Sequence, residues 1–256
     1  MPLRLLPPGL GQPRVAHAVH HRWLADDARP RPARVRGATV TLDLRDTMQA
    51  EAYLVGGFEP ELVRFVSREL TDGGLFVDVG ANIGLITLPV AAGNRRIEVI
   101  AFEPHPDNAA RLRANLAANP GLNVQVRELA LGAERGHVHL ISDDPTQTGW
   151  FRVSSNEHGI PVRMETLDSA LPSGRDIDVM KLDAEGSEPA ILRGAEQLLR
   201  ERRIGCIIAE VNPGHGILAA DLEAFLGRFG YRRTAPPVPI GRRIRGLPGD
   251  VAAFRR

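Results

Sequence analysis

The chain is 256 residues long, enough for one large hydrophobic core and a small appendage, with the composition of an ordinary globular protein. Its formal net charge of +1 excludes binding of polyanions through overall charge alone. The single cysteine, Cys206, excludes an intrachain disulfide and a cysteine-based metal site, and no apolar stretch is long enough to span a bilayer.

Residues 1–35 are expected to form an irregular basic arm. Pro7, Pro8, Pro13, Pro30 and Pro32 discourage regular structure there, apart from a short helix in HAVHHRWLADD. Arginines crowd this arm and the last fifteen residues. Lys181 is the sole lysine, so arginine fills nearly every basic position, and no aromatic residues interleave as a nucleic-acid platform needs. Solvated ends, no nucleic acid and no membrane are therefore expected. His17, His20 and His21 read as a surface stretch, since no carboxylate or cysteine joins them at a fixed offset. The prolines near the start interrupt the apolar run a signal peptide requires, which makes a cytoplasmic protein the expectation. The arm is a candidate for homodimer contacts.

Residues 36–256 read as one domain. ATVTLDLRD alternates as a half-buried strand. Pro60 opens a helix whose apolar face is Leu62, Val63, Phe65, Val66 and Leu70. Strands and helices then alternate: LFVDV, NIGLITLPVAAG, IEVIAF, PDNAARLRANLAANP and LNVQVRELAL. A polar stretch with the short strands GHVHLIS and IPVRMETL follows. After it come IDVMKLD, the helix SEPAILRGAEQLLRER, IGCIIAEV, the helix ADLEAFLGRFG, YRRT and a closing DVAAFRR. Apolar strands alternating with helices predict an α/β fold, a mostly parallel sheet with helices on both faces. Cys206, in the apolar run IGCIIAEV, is expected to be an inert core thiol.

Ligands of such sheets bind beyond the carboxyl ends of the strands. FVDVGANIG ends a strand there: Gly80 and Gly84 allow a sharp turn and close backbone approach, flanked by Ala81 and Asn82. The next strand ends in Glu103-Pro104, an acid placed to accept hydrogen bonds from two ribose hydroxyls. Together these form a nucleoside-binding unit. Asp78 would repel a pyrophosphate and suits a cationic ligand, which favours S-adenosylmethionine over NAD. No G-K-[ST] occurs, which excludes a P-loop.

DVGANIG, VIAFEPHPDN, ELALG, KLDAEGSEPAILRGAEQLL and IIAEV, in this order and spacing, resemble the FkbM-type S-adenosylmethionine-dependent methyltransferases, and GGFEPELV looks like that family's opening motif. The resemblance covers about residues 42–211. It implies a Rossmann-like class I methyltransferase fold and methylation of hydroxyls, often on sugars or natural-product scaffolds, and it places Ala130 near the adenine.

KLDAEGSE sets Asp183, Glu185 and Glu188 just past a buried strand. Glu188, in the first turn of the next helix with Ser187 as N-cap, is expected to be structural. An attacking alcohol needs a base, and the candidates are Asp183, Glu210, His105 and His215, with Asp183 first, while Glu185 reads as a turn carboxylate or a substrate contact among the catalytic candidates. His105 is expected to flank the adenine and His215 to sit on a surface loop. These acids could instead hold a divalent ion, but a metal-independent base is preferred, with no metal assigned. SDDPTQTGWFRVSSNEHGIP, carrying Trp150 and Phe151, is a candidate acceptor-side lid.

The expected function is thus an S-adenosylmethionine-dependent O-methyltransferase acting on a small-molecule hydroxyl of a sugar or secondary metabolite. The alternatives are an NAD-dependent oxidoreductase or epimerase, disfavoured because no tyrosine precedes Lys181 by four residues, and an inactive nucleoside-binding module.

Overall fold

A computed structural model of the chain describes residues 19–144, 146–154, 158–234 and 250–256. About half of the expected arm, including His17, Pro7, Pro8 and Pro13, lies outside these residues. Residues 31–35, expected in that arm, form a strand. A π-helical turn at His20–Leu24 precedes strand β1 (Arg31–Val35), which pairs antiparallel with β2 (Ala38–Leu42). Arg36 and Gly37 join them with φ of 45° and 97°, as a tight two-residue hairpin turn requires. An arginine in place of the usual asparagine conceals that turn in the sequence. Val35, Val40 and Leu42 enter the core.

Helix α1 (Thr47–Val55) and α2 (Pro60–Glu69) follow. The central elements are β3 (Leu75–Val79), α3 (Thr87–Gly93), β4 (Glu98–Phe102), α4 (Pro106–Ala117) and β5 (Val124–Arg127). Then come β6 (Ala130–Leu131), β7 (Gly136–Ile141), β8 (Arg152–Ser154), β9 (Ile160–Glu165) and α5 (Leu167–Ala170). The chain continues through β10 (Ile177–Leu182), α6 (Glu188–Arg193), α7 (Glu196–Arg200) and β11 (Ile204–Val211). It closes with α8 (Ala219–Gly227), β12 (Arg232–Thr234) and β13 (Asp250–Arg255).

Seven strands form the main sheet in the order β12-β13-β11-β10-β3-β4-β5. The neighbours from β11 to β5 pair in parallel, and β13 is antiparallel to both β11 and β12. Strand order reverses between β3 and β10, which opens a crevice at their carboxyl ends. Alternation along β3 sends Leu75, Val77 and Val79 into a core under α5 to α8, and Phe76 into one under α2 and α3. Asp78 continues the Phe76 side. On β10, Met180 and Leu182 face the first core, and Lys181 follows Val179 to the second.

Three boundaries differ from the sequence reading. The helix expected from Asn82 begins only at Thr87, because Asn82 and Gly84 hold φ of 50° and 95° and cannot be helical. SEPAILRGAEQLLRER makes two helices rather than one. Gly194 lies so close to Gly132 that an added Cβ would meet its carbonyl oxygen at 2.0 Å, and Asp168 accepts hydrogen bonds from Gln197 and Leu198, capping α7 separately. LNVQVRELAL divides because Ala130–Leu131 leaves the main sheet to join a four-stranded sheet, β6-β9-β7-β8. Cys206 is buried with its thiol pushed up to about 11, chiefly by burial, as expected of an inert core thiol. Among the described residues no helix is long and apolar enough to cross a membrane.

Candidate active site

Asp78, Glu103, Asp183 and Glu210 lie at the carboxyl ends of β3, β4, β10 and β11. After β3 the backbone turns through Gly80, with φ of 77°. A Cβ built there would lie 1.8 Å from the carbonyl oxygen of Asp183, so this turn and the one after β10 touch backbone to backbone. Gly80 and Asn82 stay half-exposed, whereas Ala81 and Gly84 are buried. Gly84 serves packing, since a Cβ would strike Leu112 at 2.6 Å. Asn115 fixes the turn from behind: its Nδ2 donates to Ile83 O (3.0 Å) and its Oδ1 accepts from Thr41 N (2.9 Å).

Asp78 does not face the crevice, and the charge argument drawn from it is corrected. Its side chain is fully buried, accepts a 2.6 Å hydrogen bond from Thr87 Oγ1 and lies 3.2 Å from Lys181 Nζ. Lys181 in turn lies 3.3 Å from Asp183 Oδ2 and donates to Gly80 O at 3.3 Å. Burial by itself would lower the Lys181 pKa, but the carboxylates of Asp183, Asp78 and Glu59 outweigh it and hold the ammonium charged. Lys181 is thus the hub of the two turns. The sequence reading missed it, although the only lysine of the chain on a buried strand was a usable signal.

Glu103, at the end of β4, is buried. Its carboxylate accepts from the backbone N–H groups of Asn82 (2.7 Å) and His105 (2.9 Å). Burial raises its pKa to about 7, partly opposed by those two hydrogen bonds. The Asn108 side chain also hydrogen-bonds the carboxylate, which has about four acceptor sites, so room remains for a ribose hydroxyl. Pro104 is half-exposed beside it. His105 is the N-cap of α4, and its ring packs on Phe151 with centroids 4.1 Å apart. Ala130 is buried at the start of β6.

Beyond β10, Asp183, Glu185 and Glu210 are all half-buried and offer one carboxylate oxygen each within 4.8 Å of one another. Such a triad can accept several hydroxyls, and it can also hold a divalent cation. Like charges this close cannot all ionise cheaply. The Glu185 carboxyl is pushed up to about 8, first by burial and then by Asp183 and Glu188. Glu185 itself takes a φ of 49° and lies 3.6 Å from His215 Nδ1. Glu188 is structural as expected, but by another bond: its carboxylate accepts from Ala184 N (2.7 Å) and Gly186 N (3.1 Å), while Ser187 makes no side-chain cap. Glu51 on α1, which the sequence reading passed over, is pushed up to about 7 by burial and by Glu59, whose charge also reaches Lys181.

The polar segment after β7 does not hang free. Asp46 Oδ2 accepts from Thr148 N and Oγ1, both at 2.7 Å, and Gln147 Oε1 accepts from Thr47 N and Oγ1 at 3.1 and 2.9 Å. The segment is bolted to the N-terminus of α1, which argues against a mobile lid.

A family model described as the methyltransferase FkbM domain matches residues 78–233. The chain is 27% identical over 158 residues to hexuronic acid methyltransferase AglP of Haloferax volcanii, covering 61% of this chain and 63% of that protein. It is 25% identical over 148 residues to methyltransferase 1 of Beauveria bassiana, covering 49% and 59%. The chain thus spans less than two thirds of the length of either curated relative. Among solved structures, a Pyrococcus abyssi tRNA (uracil-54, C5)-methyltransferase in complex with S-adenosyl-L-homocysteine superposes with a TM-score of 0.50 at 16% identity, covering 89% of this chain and 44% of that one. That likeness concerns the fold alone.

Proposed function

The chain belongs to the FkbM methyltransferase family, and on that premise we propose that it methylates a hydroxyl of a sugar or secondary-metabolite scaffold with S-adenosylmethionine. The observation that carries this reading is the contact between the Gly80 turn and Asp183, with Glu185 and Glu210 beside it.

Two features support a cofactor site here: Gly80 lets its turn meet the Asp183 turn where a side chain could not stand, and Glu103 keeps an acceptor site for a ribose hydroxyl. Gly80, Ala81, Asn82, Gly84, Glu103, Pro104 and Ala130 would hold it. Asp78 would contribute indirectly, by anchoring the turn through Lys181 and Thr87. When bound, the cofactor supplies a methyl group on a cationic sulfur, which an oxygen nucleophile displaces in line.

The protein's own part is to align the acceptor, take its proton and keep water out. Asp183, tethered on one side by Lys181, receives the hydroxyl proton on its carboxylate. Glu210 and Glu185 accept hydrogen bonds from the acceptor's other oxygens. At neutral pH Glu185 is largely protonated, so it also donates, which spares the triad a third negative charge.

Calorimetric titration with S-adenosylmethionine, S-adenosylhomocysteine and NAD, followed by a methyl-transfer screen of glycosides and phenols with and without EDTA, tests the reading. Selective binding of the adenosyl ligands and EDTA-resistant transfer to oxygen are expected. Binding of NAD alone, or transfer to nitrogen or carbon, overturns it.

A further inference from the structure

Residues 146–152 run from the N-terminus of α1 past the glycine turn to His105, and several of them are held there. Thr148 is held by Asp46 and by Gln49, whose Nε2 donates to its Oγ1 at 3.2 Å, while its carbonyl accepts from Asn108 Nδ2 at 2.9 Å. Asp46, Gln49, Asn108 and Gln147 are all buried. Gly149 rests on the glycine turn: a Cβ there would lie 2.4 Å from Met48 Cε and 3.6 Å from Asn82 Nδ2. Phe151 packs on His105, beside the ribose acid, and Arg152 is close enough to Glu185 for its charge to act on that carboxyl.

Trp150 stands between these supports, with 44% of its surface exposed. Scattered exposed aromatics are ordinary, but this one sits in a hydrogen-bonded segment whose residues meet the glycine turn on one side and act on Glu185 on the other. Four buried polar side chains hold that segment in place.

We propose that Trp150 is a stacking platform for the acceptor, and that the acceptor is a neutral saccharide ring; the proposal rests on the methyltransferase reading above. An indole face packs against the C–H face of a pyranose, and the carboxylates of Asp183, Glu185 and Glu210 accept hydrogen bonds from its hydroxyls. A flat phenol would satisfy the indole but leave those acids short of donors. An acidic sugar would bring a further carboxylate against those of Asp183 and Glu210. Lys181 and Arg152 offer it little: Lys181 is committed to Asp78 and Asp183, and Arg152 to Asp143 at 3.0 and 3.2 Å.

The chain has two tryptophans, so Trp23→Phe leaves Trp150 as the sole indole reporter. Its emission is followed with saturating S-adenosylhomocysteine during titration with methyl glucoside, methyl glucuronide and catechol, and methyl transfer from S-adenosylmethionine to each is measured in parallel. The expected result is that methyl glucoside alone shifts Trp150 emission and is the preferred acceptor. Trp150→Ala should then raise its KM about tenfold or more while kcat and S-adenosylhomocysteine affinity hold within about threefold, and Trp150→Phe should recover part of the loss. The proposal is overturned if S-adenosylhomocysteine binds but methyl glucoside leaves Trp150 emission unchanged, if glucuronide or catechol is preferred, or if Trp150→Ala leaves KM alone. Failure of S-adenosylhomocysteine itself to bind removes the cofactor reading, and the platform with it.

Discussion

Lys181 and Asp78 face each other in register on adjacent parallel strands, with Nζ 3.2 Å from Oδ1 in a site closed to solvent. Breaking a buried pair by removing one partner leaves an uncompensated charge. Lys181→Met is therefore expected to cost about 3–5 kcal/mol, read by urea denaturation. Asp78→Ala should be similarly destabilising, so a loss of cofactor affinity in that variant will follow from a disturbed turn rather than from a lost contact. Parental stability in both variants would remove Lys181 as the hub.

Gly80→Ala tests the contact between the two turns. The new Cβ must displace the Asp183 carbonyl and would stand on a residue with φ of 77°. A loss of about 2 kcal/mol or more is expected, together with weaker S-adenosylhomocysteine binding, by thermal denaturation and calorimetry. An unperturbed variant would show that the turns can separate at little cost.

Glu103→Gln keeps the size of the side chain and removes its charge. A hydrogen bond to a charged group is worth about 1.5–3 kcal/mol, so affinity for S-adenosylhomocysteine should fall roughly tenfold to a hundredfold. Equal affinity would place the ribose elsewhere.

Burial raises Glu51 and Glu103 to about 7 and Glu185 to about 8. The folded state thus retains protons that the unfolded chain releases above about pH 4.5, and stability falls as pH rises through the folded-state values. His105, whose pKa burial lowers, works in the opposite direction in the acid part of that window. Urea midpoints should decline between about pH 6.5 and pH 8, with a shallower decline in Glu103→Gln. A slope unchanged by the substitution would show that Glu103 does not titrate there.

Asp183→Asn should fold, bind S-adenosylhomocysteine like the parent and lose about a hundredfold in turnover. Retained turnover would move the base to Glu210, and Glu210→Gln would then carry the loss.

Much of the candidate site is legible in the sequence. Asp78 to Gly84, Glu103 and Asp183 are consecutive in local patterns, each a strand followed by its turn, and such patterns are written in short stretches of chain. Their partners were not legible, because partnership crosses long sequence gaps. Nothing near residue 78 announces position 181. The Arg36-Gly37 hairpin and the break at Gly194 escaped for a related reason: each depends on a backbone angle or a close approach that residue type alone does not specify.

The sequence by itself determined the alternation of strands and helices, the glycine turn and the acids at the strand ends, because hydrophobic period and turn chemistry act over a few residues. Only the tertiary structure decided which acids are buried against a partner strand and which stand half-buried together. Strand register buried Asp78 against Lys181, the touching turns brought Asp183 beside Gly80, and the bolt between Thr148 and Asp46 fixed the backbone next to the exposed Trp150. A carboxylate's charge, exposure and reach are set by what surrounds it in space, and that is fixed only when distant segments pack together.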